Sequence, residues 1–182
     1  MEDVVIVGGG PVGLISAIAL ARQGLQVRVV EAEPGVLPTP RAMGYARQVL
    51  DHLMLLDLFD DAAKVGFRSN EMAFRFIKTG EAFVSAFSYP EELDHPYVLT
   101  LAIDELTNVV VSHLPRYPQI TCDWGSRFVQ LTQFDDHVSL EVETNKGRET
   151  IKARWVIGAD GGRSGVRKAI GQELVGYTWP DR

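Results

Sequence analysis

The sequence is poor in cysteine, in positive charge and in long apolar runs, and each shortage removes a class of function. Cys122 is the only cysteine, so no internal disulfide framework can form. No paired Cys/His spacing offers a zinc ligand set. Eighteen basic residues stand against 24 acidic ones, a formal charge of −6. Without a basic patch or a Lys/Arg run, nucleic acid and anionic membrane surfaces have nothing to bind. No stretch approaches the roughly 18 to 20 apolar residues of a membrane-spanning helix. The first apolar run, Val4 to Val7, follows Glu2 and Asp3 and is cut at once by three glycines, unlike the basic and apolar start of a signal peptide. A soluble, cytoplasmic protein with no nucleic-acid or membrane partner is expected. His52, His95, His113 and His137 are scattered, with no nucleophile or metal pattern around them, and read as solvated or structural. The acidic pairs Glu91-Glu92 and Asp135-Asp136 fall in turn sequences, and Cys122 reads as a small apolar filler.

What is present is a globular composition. With 46% hydrophobic residues over 182 positions, one sizeable core can be buried, so one domain over residues 1–182 is expected. Val4 to Val7 is β-branched and continuously apolar, the pattern of a strand buried on both faces. Val12 to Gln23 predicts a helix that Gly24 stops, and Gln26 to Glu31 a second strand. Pro34 to Pro40 is a proline-rich loop. Val49, Leu50, Leu53, Leu56 and Phe59 share helical spacing. Glu71 to Ile77 and Glu81 to Phe87, joined by Lys78-Thr79-Gly80, predict a hairpin. Ile103 to Leu114 predicts a further helix, ended by Pro115. Phe128 to Phe134, His137 to Glu143 and Glu149 to Ala153 predict a three-stranded meander, and Trp155 to Ile157 a last buried strand.

Chemistry concentrates in two glycine-rich turns. Gly8-Gly9-Gly10-Pro11-Val12-Gly13 supplies G-x-G-x-x-G between a predicted strand and helix. Gly8 permits the tight turn, Gly10 lets backbone approach a pyrophosphate, and Gly13 lets the helix pack close. The helix N-terminus at Pro11 and Val12 then offers unpaired amides and a positive dipole end. Glu31, 18 residues after Gly13 (31 − 13), ends the second strand, where its carboxylate can accept from a ribose diol and would repel a 2′-phosphate. Val4 to Glu31 is therefore a dinucleotide-binding βαβ unit, and Glu31 favours FAD or NAD over NADP there. A merely structural reading of the glycines, as a tight strand-to-helix turn, is the bland alternative.

The second turn, Gly158-Ala159-Asp160-Gly161-Gly162-Arg163-Ser164-Gly165-Val166-Arg167, follows the last strand and opens a helix at Ser164. It resembles the Asp-Gly motif of the flavin-dependent aromatic hydroxylases, the class A monooxygenases, matching each fixed position at Gly158, Ala159, Asp160, Gly161, Ser164 and Arg167. Without the resemblance it reads as a turn in which Ser164 caps a helix and Asp160 caps or solvates nearby amides. A looser match is Pro38-Thr39-Pro40-Arg41-Ala42, which looks like the family's P-R-A segment with a flavin-contacting arginine. Arg41 on a proline-stiffened loop would be a rigid donor fork; Arg41 and Arg47 can also be surface residues.

The resemblance implies an α/β fold: a Rossmann-like FAD-binding domain of the p-hydroxybenzoate hydroxylase type, with a parallel sheet and an antiparallel β-meander. It implies FAD as cofactor and NAD(P)H as co-substrate. The cofactor-binding set is then Gly8, Gly10, Pro11, Val12, Gly13, Glu31, Ala32, Arg41, Val129, Asp160 and Gly161, with Val129 placed against the adenine through its backbone or else an ordinary core valine. Family members hydroxylate a small aromatic, phenolic substrate, using reducing equivalents from NAD(P)H and oxygen from O2. Where they place Gln or Arg near position 103, this chain has Leu101-Ala102-Ile103-Asp104, and no role is carried over. They also run on into a substrate domain and a later Gly-Asp motif, found nowhere before Arg182. The sequence is therefore expected to be the N-terminal part of a longer enzyme and inactive alone, with no catalytic side chain named. Another FAD-dependent oxidoreductase of the same fold, or a non-catalytic FAD-binding module, are the competing readings. A homodimer is left open.

Overall fold

A β-branched run such as Val4 to Val7 is comfortable only where both faces of its strand are covered. In the computed structural model, which describes residues 1–38, 42–87 and 96–177, it has such a place. In chain order the elements are β1 (Glu2–Val7), α1 (Pro11–Ala21), β2 (Val27–Glu31), β3 (Ala42–Tyr45), α2 (Arg47–Leu55), α3 (Phe59–Val65), β4 (Phe67–Ser69) and β5 (Glu71–Arg75). There follow β6 (Ala82–Ala86), β7 (Val98–Ala102), α4 (Ile103–His113), a 3-10 turn (Leu114–Arg116), β8 (Ile120–Trp124), β9 (Arg127–Gln133), β10 (Val138–Thr144), β11 (Gly147–Gly158) and α5 (Gly165–Ala169). The contacts gather in two compact units, Met1–Val36 with Leu114–Arg182, and Leu37–His113.

The first unit is a six-stranded sheet in the order β8-β2-β1-β11-β10-β9. β8, β2, β1 and β11 are parallel, and β10 and β9 add antiparallel as the meander. Val5 and Val7 of β1 join Val30, Leu140, Val142, Ile151, Ala153 and Val166 in one buried cluster, so the meander covers that face. The other face meets α1, whose Leu14, Ala17, Ile18 and Ala21 are buried. Full burial of a Leu or Ile side chain such as Leu14 or Ile18 contributes about 1.5–3 kcal/mol each. Alternating side chains from Val4 to Val7 thus serve two different partners, which is why none of these four is polar.

Two sequence expectations change here. Glu149 to Ala153 and Trp155 to Ile157, read as separate strands, are one continuous β11, which pairs with β10 up to Ala153 and with β1 from Ala153 to Gly158. Only Arg154 stands between them, and arginine does not break a strand. β8 had no place in the sequence reading, because Ile120-Thr121-Cys122-Asp123-Trp124 mixes polar and apolar residues at a sheet edge. It pairs with β2 from Val27↔Ile120 to Glu31↔Trp124. Arg28 locks the pairing, donating to Asp123 Oδ2 at 2.5 Å and to Glu149 Oε1 at 3.0 Å. Burial first, and then the neighbouring Asp123 charge, push the Cys122 thiol up to about 11, so it stays protonated and unreactive near neutrality.

The second unit holds the antiparallel sheet β3-β7-β4, the β5–β6 hairpin and helices α2, α3 and α4. The helix expected through Val49 to Phe59 is split in two: Asp57 adopts φ +58°, a conformation aspartate tolerates better than most residues. The predicted hairpin is present, with Gly80 at φ +76° in its turn. Buried His113 of α4 shares a hydrogen bond of 2.8 Å with Asp61 of α3 and is a structural tie. Among the described residues, no helix is long and apolar enough to cross a membrane.

Candidate dinucleotide site

β1 ends in a turn that tolerates no side chain at its first glycine. Gly8 has φ +112°, and a Cβ there would run into the Ala159 carbonyl and stand 2.8 Å from the Asp160 nitrogen. A Cβ on Gly13 would fall on the Gly8 carbonyl oxygen and 3.3 Å from Ile6 Cγ2, so α1 can lie against the turn only because Gly13 is bare. Gly10 is different. It is the N-cap of α1 in an extended conformation, and a Cβ on it would meet nothing within 4 Å.

That open space lies over a helix end that is ready for an anion. α1 starts with Pro11, which has no N–H, and no side chain caps the amides of its first turn. No acidic residue sits in that turn either. Val12, 68% exposed at the second helical position, keeps its apolar side chain in solvent beside these amides. Uncapped amides at the positive end of an 11-residue helix suit a phosphate group.

Glu31 stands at the end of β2 with its carboxylate already oriented. Oε2 accepts from the Gly9 amide at 2.6 Å and Oε1 from the Glu33 amide at 2.8 Å. Each oxygen retains a lone pair for a further donor. The backbone is pinned as well: the Ser126 amide donates to the Glu31 carbonyl at 2.7 Å, and the Gly125 amide to the Glu33 carbonyl at 2.9 Å. Ala32 follows directly, in the partly buried stretch between these bonds. Gly9, which no motif rule singled out, proves as constrained as its neighbours. Its Cβ would stand 2.8 Å from Glu31 Cβ and 3.2 Å from Trp124 Cζ3. The signal available was the middle glycine of the run, at a position the motif leaves free.

The second turn comes back to the first. Val7 pairs with Gly158, and the Ala159 amide donates to the Val7 carbonyl at 2.7 Å, which puts Ala159 and Asp160 against Gly8. Gly161 takes φ +77°. The Asp160 carboxylate faces its own loop: Oδ1 accepts from Ser164 Oγ at 2.6 Å, and Oδ2 from the Gly165 and Val166 amides at 2.6 and 3.1 Å. Ser164 caps α5, accepting from the Arg167 amide at 2.9 Å. Burial alone would raise the Asp160 pKa, but the hydrogen bonds from Ser164 and the loop amides outweigh it and hold the carboxyl below its usual range. The capping arrangement is thus what the Asp160 side chain does.

The remaining candidates separate. Val129 lies in β9 where the β9–β10 ladder passes over it, Phe128 pairing with Val142 and Gln130 with Glu141. It is 37% exposed, more than a core valine. Arg41, with Thr39 and Pro40, lies outside the described residues. Arg47 opens α2 and pairs with Asp51 at 3.4 Å along an exposed helix face. A cleft of about 660 Å³ opens beside the second turn, lined by Trp155, Gly158, Ser164 and Arg167 among others, and includes no residue of the first. It borders β11 beyond Ala153, where that strand pairs with β1 alone.

Comparison with known proteins gives a consistent picture. The FAD binding domain family matches residues 1–178. Para-nitrophenol 4-monooxygenase of Pseudomonas sp. (strain WBC-3) is 36% identical over 184 residues, covering all of this chain and 45% of the relative. 6-hydroxy-3-succinoylpyridine 3-monooxygenase HspB of Pseudomonas putida is 35% identical over 183 residues, covering all of this chain and 47% of the relative. Among solved structures, p-nitrophenol 4-monooxygenase PnpA from Pseudomonas putida DLL-E4 superposes with a TM-score of 0.93 at 37% identity, over 98% of this chain and 46% of that one. The chain spans under half the length of these relatives.

Proposed function

The chain belongs to the FAD binding domain family, and from that premise we propose that it forms the FAD-binding part of a monooxygenase that hydroxylates a phenolic ring with NAD(P)H and O2. One observation carries the reading. The two glycine turns, 150 residues apart in sequence (158 − 8), meet with Gly8 packed on Ala159 and Asp160, beside an uncapped helix end. An isolated tight turn needs neither the second turn nor the bare amides.

The residues present fit FAD. Gly10, Pro11, Val12 and Gly13 would hold the pyrophosphate at the open end of α1, where no Cβ stands in the way. Glu31 and Ala32 would hold the adenosine ribose, the carboxylate entering with both oxygens already aimed by backbone amides. Val129 would approach the adenine through the backbone at its bulge, and Arg41 the pyrophosphate. Asp160 and Gly161 would reach the cofactor by backbone, with the Asp160 carboxylate keeping the turn in shape. Bound FAD would supply the redox chemistry between a nicotinamide nucleotide and O2. The protein's share is to position the cofactor and to exclude water around it. This chain matches 45% and 47% of two relatives' lengths, and the aromatic pocket is proposed to lie in the part of the whole protein that corresponds to the remainder. A cytoplasmic setting agrees with a lone, half-buried thiol, and a homodimer is part of the proposal.

Isotope transfer tests the activity. The full-length enzyme, given a phenol such as p-nitrophenol, NAD(P)H and ¹⁸O2, is expected to place one labelled oxygen atom in the aromatic product. Substrate oxidised without label would make the enzyme an oxidase or dehydrogenase of the same fold instead.

A further inference from the structure

We infer that Trp124 is the surface on which the adenine ring of FAD rests, an inference that stands on the FAD reading above. In an open α/β sheet a dinucleotide lies across the carboxyl ends of the strands. Its pyrophosphate sits at the N-terminus of α1, after β1, and its ribose at Glu31, the end of β2. The strand beyond β2 in that direction is β8. Trp124 is the last residue of β8 and pairs in register with Glu31, so the two side chains stand together on one face of the sheet.

The local packing brings the indole to the site. Its Cζ3 edge lies 3.2 Å from where a Gly9 Cβ would be, so Gly9, Glu31 and Trp124 form one contact group. The residues after Trp124 are fixed rather than loose. Gly125 turns the chain at φ +72°, its amide donates to the Glu33 carbonyl, and the buried Ser126 amide donates to the Glu31 carbonyl. A half-buried indole beside that carboxylate offers a stacking platform for a base, and every purine has a π-face to meet it.

ADP separates this role from a structural one, because it carries the adenosine and the pyrophosphate but no flavin to absorb indole emission. Apo-protein of the full-length enzyme is titrated with FAD and with ADP, for the wild type, Trp124→Phe and Trp124→Ala. Trp124→Ala is expected to weaken both ligands about ten-fold or more, the scale of lost base–aromatic stacking, and Trp124→Phe to restore most of that loss. ADP is expected to quench tryptophan emission in the wild type and not in Trp124→Phe. Wild-type-like ADP quenching in Trp124→Phe would overturn the inference, and so would an alanine variant that binds both ligands like wild type. Should the alanine variant not fold, the phenylalanine quenching decides alone. A wild-type protein that takes up neither ligand overturns the FAD reading itself.

Discussion

Gly10→Ala is expected to keep its stability and bind the cofactor more weakly, whereas Gly13→Val is expected to lose both stability and cofactor. The two glycines lie three residues apart in one motif, yet they do different work. Gly10 is extended at φ −74°, a conformation open to alanine, and nothing lies within 4 Å of an added Cβ. The methyl group enters only the space that a pyrophosphate needs. A melting temperature close to wild type with FAD affinity reduced about ten-fold or more is the expected outcome, since one lost phosphate contact at a helix terminus is worth more than 1.4 kcal/mol in a desolvated site. At Gly13 the added atoms land on the Gly8 carbonyl. α1 must then move off β1, at an overpacking cost of about 1–3 kcal/mol, and the purified protein should be flavin-free with a lowered melting temperature. Thermal melts paired with FAD titrations of both variants check the contrast. Equal stability loss in both would mean that the space over Gly10 belongs to the fold and not to a ligand.

Asp160→Ala is expected to destabilise the protein by about 2–3 kcal/mol, because it removes the acceptor for the Ser164 hydroxyl and the Gly165 and Val166 amides and leaves partly buried donors unpaired. The effect depends on pH with a definite sign. The folded carboxyl has a lowered pKa, so its stabilisation is fully present above the unfolded value of about 3.9. It fades as pH falls from there through the folded pKa. The gap in melting temperature between wild type and Asp160→Ala should therefore be wide near pH 7 and close as the pH drops below about 4. A gap that does not change with pH would show that the ionised carboxylate is not what holds the turn.

Local signals were the legible ones. β1, α1 and Glu31 could be read in order because each is written in a few consecutive residues: a β-branched run, glycines at fixed offsets, an acid at the end of the next strand. The second turn was legible as a strand-to-helix junction, and the choice between a carboxylate that caps and one that points outward was visible as two readings of Asp160. Which one holds depends on Ser164, Gly165 and Val166 closing around it in space. β8 was not legible, since a sheet edge needs no apolar run and its partner β2 lies about 90 residues earlier (120 − 27 = 93). Gly9 and Trp124 escaped for the same reason. Their contact exists only after β2 and β8 are side by side. The break at Asp57 escaped too, because a helical pattern of Leu50, Leu53 and Leu56 continues through it into Phe59.

The most direct test of the dinucleotide site is the visible spectrum and released cofactor of the full-length protein as purified. A yellow protein that yields FAD rather than FMN on denaturation, with Glu31→Gln binding that FAD more weakly, is the predicted result. A colourless protein that stays colourless in excess FAD would contradict it.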